Sequence, residues 1–170
     1  MQIRCSAAFA LAVLLVLPLA ASGPAPAALD PYAPLWTYKG SWKVTRAGAA
    51  PETLVNDCGR VGEFFGCQQT VNGAVVGLLI IIPSKDRGHY YTQTVLPRGR
   101  ATGLGELEIA GDRWTFASSQ PNATGKVIHY RTINTFTGKT RIHFEQSEST
   151  DGDHWTPDGS GETVKQAESK

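Results

Sequence analysis

The stretch Cys58-Gly59-Arg60-Val61-Gly62-Glu63-Phe64-Phe65-Gly66-Cys67 decides the fold, because it reads as a hairpin closed by a disulfide. A two-residue turn at Gly62-Glu63, with glycine first as a type II′ turn requires, places the two cysteines directly opposite each other. They then form a non-hydrogen-bonded pair, in which the Cα atoms lie about 4.5 Å apart. A disulfide tolerates that separation. We therefore predict a Cys58–Cys67 disulfide, with two buried free thiols as the alternative.

Residues 1–28 have the pattern of a secretory signal peptide. Arg4 precedes an apolar run over residues 7–17, which is followed by a proline and by small residues. The run is shorter than the roughly 20 residues of a membrane span, although an uncleaved anchor is the alternative. We expect a secreted or periplasmic protein, since disulfides persist in such oxidising compartments.

The rest of the chain is neutral and rich in turn-forming residues. Arg4 is the one charged residue of the leader, so its removal lowers the formal net charge from +1 to zero. A neutral chain without a basic stripe argues against nucleic acid as a partner. Over the full sequence, the low charged fraction of 18%, with 18 glycines and 10 prolines, favours strands and turns over helices.

Short apolar-rich runs alternate with turn residues from residue 38 onward. Asn72-Gly73 is a type I′ hairpin signal, and no stretch after the leader has a helical period. This pattern predicts an all-β fold, either an antiparallel up-and-down barrel of about eight to ten strands or a sandwich. We place one domain at 35–165 and a polar tail at 166–170. The expected strands are 38–46, 53–58, 64–71, 74–82, 89–96, 103–109, 113–118, 127–136, 140–149 and 162–165.

Two short motifs resemble those of lipocalin-type barrels. Lys39-Gly40-Ser41-Trp42 is similar to the Gly-x-Trp signature that opens such barrels. Ser149-Thr150-Asp151-Gly152-Asp153-His154-Trp155 resembles a turn of secreted lipocalin-like proteins of unknown function. The resemblance implies a calyx whose interior holds one small ligand, with Trp42 packing at the closed end. It implies no particular ligand.

The strand expected at 74–82 is apolar on both faces, and such a run needs cover on both sides. One interpretation is that a loop or the N-terminal segment 29–36 packs over its outer face. The other is that this face contacts a partner, as a homodimer or at a membrane. Counted from the Asn72-Gly73 turn without interruption, the residues that share the face of Cys67 are Val76, Leu78 and Ile80.

The last long hairpin offers the best candidate for an enzyme site. A three-residue loop around Gly138 puts Arg131, His143 and Glu145 on one polar face, together with His129 and Arg141. If that face pointed into the barrel, an arginine–glutamate pair and a histidine could support proton transfer. We favour a solvated outer face with cross-strand charge pairs, because the aromatic opposite face makes the better core.

We expect neither a metal nor a cofactor. His129 and His143 approach each other across strands, but zinc needs three or four ligands and no third has a recognisable spacing. The sequence contains no Gly-x-Ser-x-Gly elbow and no phosphate-binding loop. A bridged Cys58 also leaves no cysteine nucleophile.

The sequence thus favours a barrel that binds a small apolar or amphipathic molecule without performing chemistry. Gln69, Tyr91 and Gln93 are the candidates for orienting the ligand, although ordinary core packing explains the same residues. Arg131, His143 and Glu145 are further candidates for binding it. One alternative is an enzyme that uses Arg131, His143 and Glu145. Another is an assembly or adhesion module that uses the strand at 74–82.

Overall fold

The computed structural model describes residues 30–167, which form ten antiparallel strands closed into a single barrel. Each strand pairs with its neighbours in sequence, and the last strand closes against the first, where Trp42 lies opposite Lys165. The predicted all-β up-and-down barrel is therefore confirmed. The strands are β1 Gly40–Arg46, β2 Glu52–Val61, β3 Phe64–Val71, β4 Ala74–Pro83, β5 His89–Val95, β6 Gly105–Ala110, β7 Arg113–Pro121, β8 Val127–Thr137, β9 Arg141–Ser149 and β10 Thr156–Lys165.

Short 3₁₀ turns occur at Pro34–Tyr38 and Pro97–Gly99. The predicted signal peptide, residues 1–28, lies outside the described residues, as do the last three residues of the predicted tail. Within residues 30–167, no helix has the length and apolar character that crossing a membrane requires.

The β2–β3 hairpin has the predicted register. Val61 and Phe64 flank the two-residue turn, and Cys58 lies directly opposite Cys67. A disulfide joins these cysteines, whose Cα atoms are 4.0 Å apart. Gly62 has a φ of 59°, a conformation that glycine adopts without steric cost. The turn residues and the disulfide thus agree on the same register.

The β3–β4 hairpin departs from the expected register by one residue. Its Asn72-Gly73 turn forms, with positive φ angles of 49° and 83°. Beyond the turn, Gln69 pairs with Gly77, so Val76 is an extra residue in a β-bulge. A one-residue shift turns every later side chain of a strand to the opposite face.

The faces predicted for the rest of β4 were therefore wrong. Leu79 and Ile81 point inward with exposed fractions of 8% and 2%, and they lie opposite Cys67 and Phe65. Leu78 points outward and is 39% exposed. Because of the bulge, the inner and outer faces of this strand are the reverse of those expected.

Residues 30–38, here called the N-terminal cap, close one end of the barrel. The Tyr32 hydroxyl donates a hydrogen bond to the Glu63 carbonyl oxygen at 2.8 Å, and the Tyr90 hydroxyl donates to the Pro31 carbonyl oxygen at 2.7 Å. These contacts lie at the β2–β3 turn and on β5. The expectation that this segment covers the outer face of the 74–82 strand was therefore wrong.

The core fills the capped half of the barrel. Trp42 is buried, and its indole Nε1 donates to the Tyr38 carbonyl oxygen at 2.9 Å, so it packs against the cap. The Lys165 Nζ lies 5.1 Å from the centre of the Trp42 ring. Large apolar side chains thus occupy this half and leave space in the other. The other principal core residues are Tyr32, Leu35, Cys58, Phe65, Cys67, Leu79, Ile81, Tyr90, Leu107, Trp114, Phe136 and Ile142.

Candidate functional site

The uncapped half of the barrel contains a cavity of about 440 Å³. This volume is within the range of small-molecule binding pockets. The cavity lies above the core and reaches the β1–β2 and β3–β4 ends of the barrel, where Arg46, Glu52 and Val76 line it. Its wall combines the aromatic side chains of Trp42, Phe116 and Phe144 with the neutral polar side chains of Asn56, Gln69, Thr132 and Asn134.

Two amide side chains on neighbouring strands form one polar part of the wall. The Asn56 Nδ2 donates to the Tyr38 carbonyl oxygen at 3.2 Å, and the Gln69 Nε2 donates to the Asn56 Oδ1 at 3.2 Å. Asn56 is 2% exposed. Because its hydrogen bonds fix its orientation, the Gln69 amide is held in turn at the cavity surface.

Tyr38 forms the floor of the cavity from the cap side. Its ring stacks on Trp114 with 5.2 Å between the ring centres and an angle of 11° between the planes. The side-chain Nδ2 of Asn134 donates a hydrogen bond to the Tyr38 hydroxyl oxygen. Burial raises the pKa of Tyr38 well above its usual value. The phenol is therefore neutral, and it contributes polarity to the floor without charge.

An ion pair stands at the mouth of the cavity. The Arg46 Nη1 and the Glu52 Oε2 are 2.5 Å apart, and both side chains are partly exposed. The guanidinium carbon of Arg46 also lies 5.2 Å from the centre of the Phe144 ring. Among the described residues that line the cavity, these two are the charged ones. The cavity thus has no net charge.

The predicted ligand-orienting residues divide between the two faces of the barrel. Gln69 lines the cavity. Tyr91 is 45% exposed and lies opposite Ile82 on the outer face. Gln93 lies on the same outer face, and its Nε2 donates to the Thr102 carbonyl oxygen at 3.2 Å. Of the three, only Gln69 is brought to the cavity.

Arg131, His143 and Glu145 lie on the outer face of β8 and β9, as the favoured interpretation predicted. The three-residue loop is confirmed, since Thr137 lies opposite Arg141. The neighbouring Phe136 and Phe144, which alternate with the polar residues, are buried. The alternative placement of the polar cluster inside the barrel was therefore wrong.

The arginine–glutamate pair that the enzyme alternative required does not form. Arg131 lies opposite Ser147, and Glu145 lies opposite Ile133. The Nδ1 of His143 instead lies 2.8 Å from the Oε1 of Glu162 on β10. The polar residues of this face are thus spread over three strands.

Three residues that the sequence interpretation missed shape the cavity, namely Tyr38, Asn56 and Asn134. Asn56 precedes Cys58 by two positions, so the disulfide hairpin alone would place it on the inner face. Asn134 alternates with the buried Phe136 in the same way. Tyr38 alternates with Trp42 in the expected strand 38–46, which would also place it on the inner face, but in the structure it ends the 3₁₀ turn of the cap.

No group of three or more histidine, cysteine, aspartate or glutamate side chains is placed to hold a metal ion among residues 30–167. His129, which was considered as a zinc ligand, has its Nδ1 2.8 Å from the Ser119 Oγ on the barrel exterior.

Comparisons with known proteins do not assign the chain to a family. No known protein family matches the chain. No curated protein matches it either. Among solved structures, the crystal structure of Rv2717c from M. tuberculosis is similar, with 14% sequence identity and a TM-score of 0.48. The alignment covers 82% of this chain and 99% of that chain. A likeness at this level carries no information about what this chain binds.

Proposed function

We propose that the barrel binds one small, uncharged, amphipathic molecule in its open half. The observation that carries this proposal is the cavity of about 440 Å³, lined by both aromatic and neutral hydrogen-bonding side chains. Aromatic rings such as Phe116 and Phe144 would contact the apolar part of the ligand. The amides of Asn56 and Gln69 would orient its polar part, as a few convergent polar groups do in other pockets.

The charge of the lining supports an uncharged ligand. Transferring an unpaired charge from water into a partly apolar cavity is costly unless an opposite charge receives it. Arg46 and Glu52 are already paired with each other at the mouth. A charged ligand would have to break this pair or remain unpaired, whereas a neutral ligand meets no such cost.

Two fluorescent probes with the same aromatic skeleton test this proposal. N-phenyl-1-naphthylamine is uncharged, and 1-anilinonaphthalene-8-sulfonate adds one negative charge. We expect saturable fluorescence enhancement with the uncharged probe and at least tenfold weaker binding of the sulfonate. Absence of binding by the uncharged probe, or equal binding of both, would contradict the proposal.

A matched pair of variants locates the bound probe. Val76 lines the cavity mouth, whereas its neighbour Val75 lies opposite Thr70 on the outer face and is 52% exposed. Val76→Trp should fill the mouth and lower the affinity for the uncharged probe. Val75→Trp should leave the affinity unchanged, and equal losses in the two variants would place the probe on the exterior instead.

The enzyme alternative has lost its support, because it required Arg131, His143 and Glu145 inside the barrel. The disulfide between Cys58 and Cys67 supports a secreted or periplasmic location, where such a bond persists. Localisation of a tagged full-length chain by fractionation, with the redox state of both cysteines measured in each fraction, tests this proposal.

A second candidate function is self-association through the outer face of strands β2 to β5. The observation that favours it is a group of exposed apolar side chains on adjacent strands, and contiguous apolar surface of this kind marks interaction sites. Asp57 is the charged residue on this face of β2 and β3. The exposed apolar residues are Val55, Val61, Phe64, Val75, Leu78 and Tyr91.

Sedimentation velocity with the variants Leu78→Ser and Val75→Ser tests self-association. We expect a concentration-dependent dimer in the unchanged protein and a monomer in the double variant. Because of the bulge at Val76, the inward-pointing Leu79 is the wrong residue for this experiment. A monomer at all concentrations of the unchanged protein would reject the second candidate.

A further inference from the structure

Hydrogen bonds to Asp151 organise the Asp-Gly turn between β9 and β10, and Trp155 follows this turn directly. The Oδ1 of Asp151 accepts hydrogen bonds from the backbone N–H groups of Asp153 and His154, both at 2.9 Å, and from the Ser149 hydroxyl at 2.9 Å. These hydrogen bonds hold the pKa of the Asp151 carboxyl well below its usual range. The hydrogen bonds therefore define the turn up to the residue that follows it, Trp155.

The Trp155 ring packs against an arginine of another strand. The guanidinium carbon of Arg131 lies 4.1 Å from the centre of the Trp155 ring, a stacking distance for a cation on an aromatic face. Arg131 lies on β8 opposite Ser147 of β9, and Ser147 lies opposite Pro157 of β10. The contact thus reaches across the outer face of three strands.

The guanidinium of Arg131 is held in place but unsatisfied. Its Nε is buried and has no hydrogen-bond partner within residues 30–167. Over the described part of the chain, Arg131 forms no ion pair, as is also true of most of the other arginines, but it is the one whose buried Nε lacks a partner. A guanidinium that packs on an aromatic ring and has no anionic partner is positioned to bind an anion.

A cleft of about 370 Å³ surrounds this guanidinium. The register of β10 shifts between Pro157 and Gly159, next to β9, and this irregularity borders the cleft. The hydroxyl side chains of Ser147 and Ser160 also line it, as does the carboxylate of Glu145. It opens on the outer face, where Arg131 lies, and it shares the lining residue Gln146 with the barrel cavity.

We propose that this cleft, the Arg131–Trp155 cleft, binds a small molecule that carries a single carboxylate. The planar fork of a guanidinium matches the two oxygens of a carboxylate. Arg131 attracts and Glu145 repels an anion in the cleft, and because both effects scale with the charge of the anion they partly cancel, whereas the cost of desolvating the anion rises more steeply with its charge. A monocarboxylate is therefore preferred over a phosphate, and the serine hydroxyls are available for the rest of the ligand.

Nuclear magnetic resonance on the ¹⁵N-labelled protein tests the proposal directly. Benzoate is the probe, benzamide is its neutral isostere and inorganic phosphate is the dianionic competitor. We expect benzoate to shift the Arg131 Nε–H and Trp155 indole signals in a saturable way. Benzamide should leave both signals in place, and phosphate should bind several-fold more weakly than benzoate.

Two variants provide the matched comparison. Arg131→Met keeps an unbranched side chain over Trp155 and removes the charge, so the affinity for benzoate should fall roughly 10- to 100-fold. Arg141→Met removes an arginine from the same outer face outside the cleft and should leave the affinity unchanged. The Nε–H signal of the unchanged protein gives the answer even if the Arg131 variant does not fold.

Three results would overturn the proposal. The absence of a saturable shift at the Arg131 Nε–H would mean that Arg131 and Trp155 make a packing contact only. Equal effects of benzoate and benzamide would mean that the carboxylate is not recognised. Phosphate binding as tight as that of benzoate would contradict the ligand class.

Discussion

Tyr38 and Asn134 form a hydrogen-bonded pair at the boundary between core and cavity. Replacing Tyr38 by phenylalanine removes the hydroxyl and leaves the buried Asn134 amide without this partner. A buried polar group that loses its partner costs about 1–3 kcal/mol. We therefore expect Tyr38→Phe to lower the free energy of unfolding by that amount, as measured by urea denaturation.

Tyr91→Phe is the control, because the Tyr91 side chain lies on the outer face and is largely exposed. Its free energy of unfolding should change by less than about 0.5 kcal/mol. A similar loss in both variants would mean that the buried hydrogen bond of Tyr38 contributes nothing specific.

The raised pKa of Tyr38 also predicts how stability depends on pH. Burial disfavours the phenolate, so the folded-state pKa lies above the unfolded value of about 10. Below pH 10 the phenol is protonated in both states, and the stability is fully present. Above it the unfolded state loses this proton first, so the free energy of unfolding falls as the pH rises towards the folded-state pKa.

Urea denaturation from about pH 8 to about pH 11 measures this dependence. Tyr38→Phe should show a shallower decline than the unchanged protein over this interval. Tyr90, whose pKa is raised by burial and by the nearby Asp30, contributes with the same sign, so part of the decline should remain. Identical slopes in the variant and the unchanged protein would contradict the assignment to Tyr38.

The bulge in β4 makes two neighbouring leucines a direct test of the strand's orientation. Leu79 is buried opposite Cys67, and Leu78 lies opposite Gln68 on the exterior. Leu79→Ala should therefore cost about 2–5 kcal/mol, and Leu78→Ala less than about 1 kcal/mol. Urea denaturation of both variants measures the difference. The reverse order would mean that the strand has no bulge.

Features that depend on a few neighbouring residues could be predicted from the sequence, and features without such a local signal could not. The Gly62-Glu63 turn is local, and counting from it gave the register of Cys58 and Cys67 correctly. The bulge at Val76 gave no such signal, because β4 is apolar on both faces and lacks the polar alternation that would have revealed the shift. The predicted strand count and barrel class were nevertheless correct, whereas the predicted inner face of β4 was wrong.

The candidate sites show the same limit. Gln69 was placed correctly, because it lies on the strand whose register the disulfide fixes. Tyr91 and Gln93 were expected to orient a ligand and lie on the outer face of β5. The contacts of Tyr38 and Trp155 join segments that are distant in sequence, so no periodicity within a strand predicts them.

One half of the barrel interior is a packed core that stabilises the fold, and the other half contains the cavity. In the capped half, the Cys58–Cys67 disulfide and the aromatic core fill the volume. In the other half, shorter polar side chains such as Thr94 and Thr132 leave the cavity. This division predicts that substitutions in the two halves have different effects, on unfolding in one and on ligand binding in the other.

The cap should determine whether the barrel remains closed and stable. It contributes the fully buried Leu35 and the stacked ring of Tyr38, and losing one buried leucine side chain alone costs about 2–5 kcal/mol. A chain that begins at Lys39 should therefore unfold at a far lower temperature than a control chain that begins at Asp30 and keeps the cap. Circular dichroism on heating measures both midpoints. Equal midpoints would mean that the ten strands are sufficient by themselves and that the cap only covers an already stable barrel.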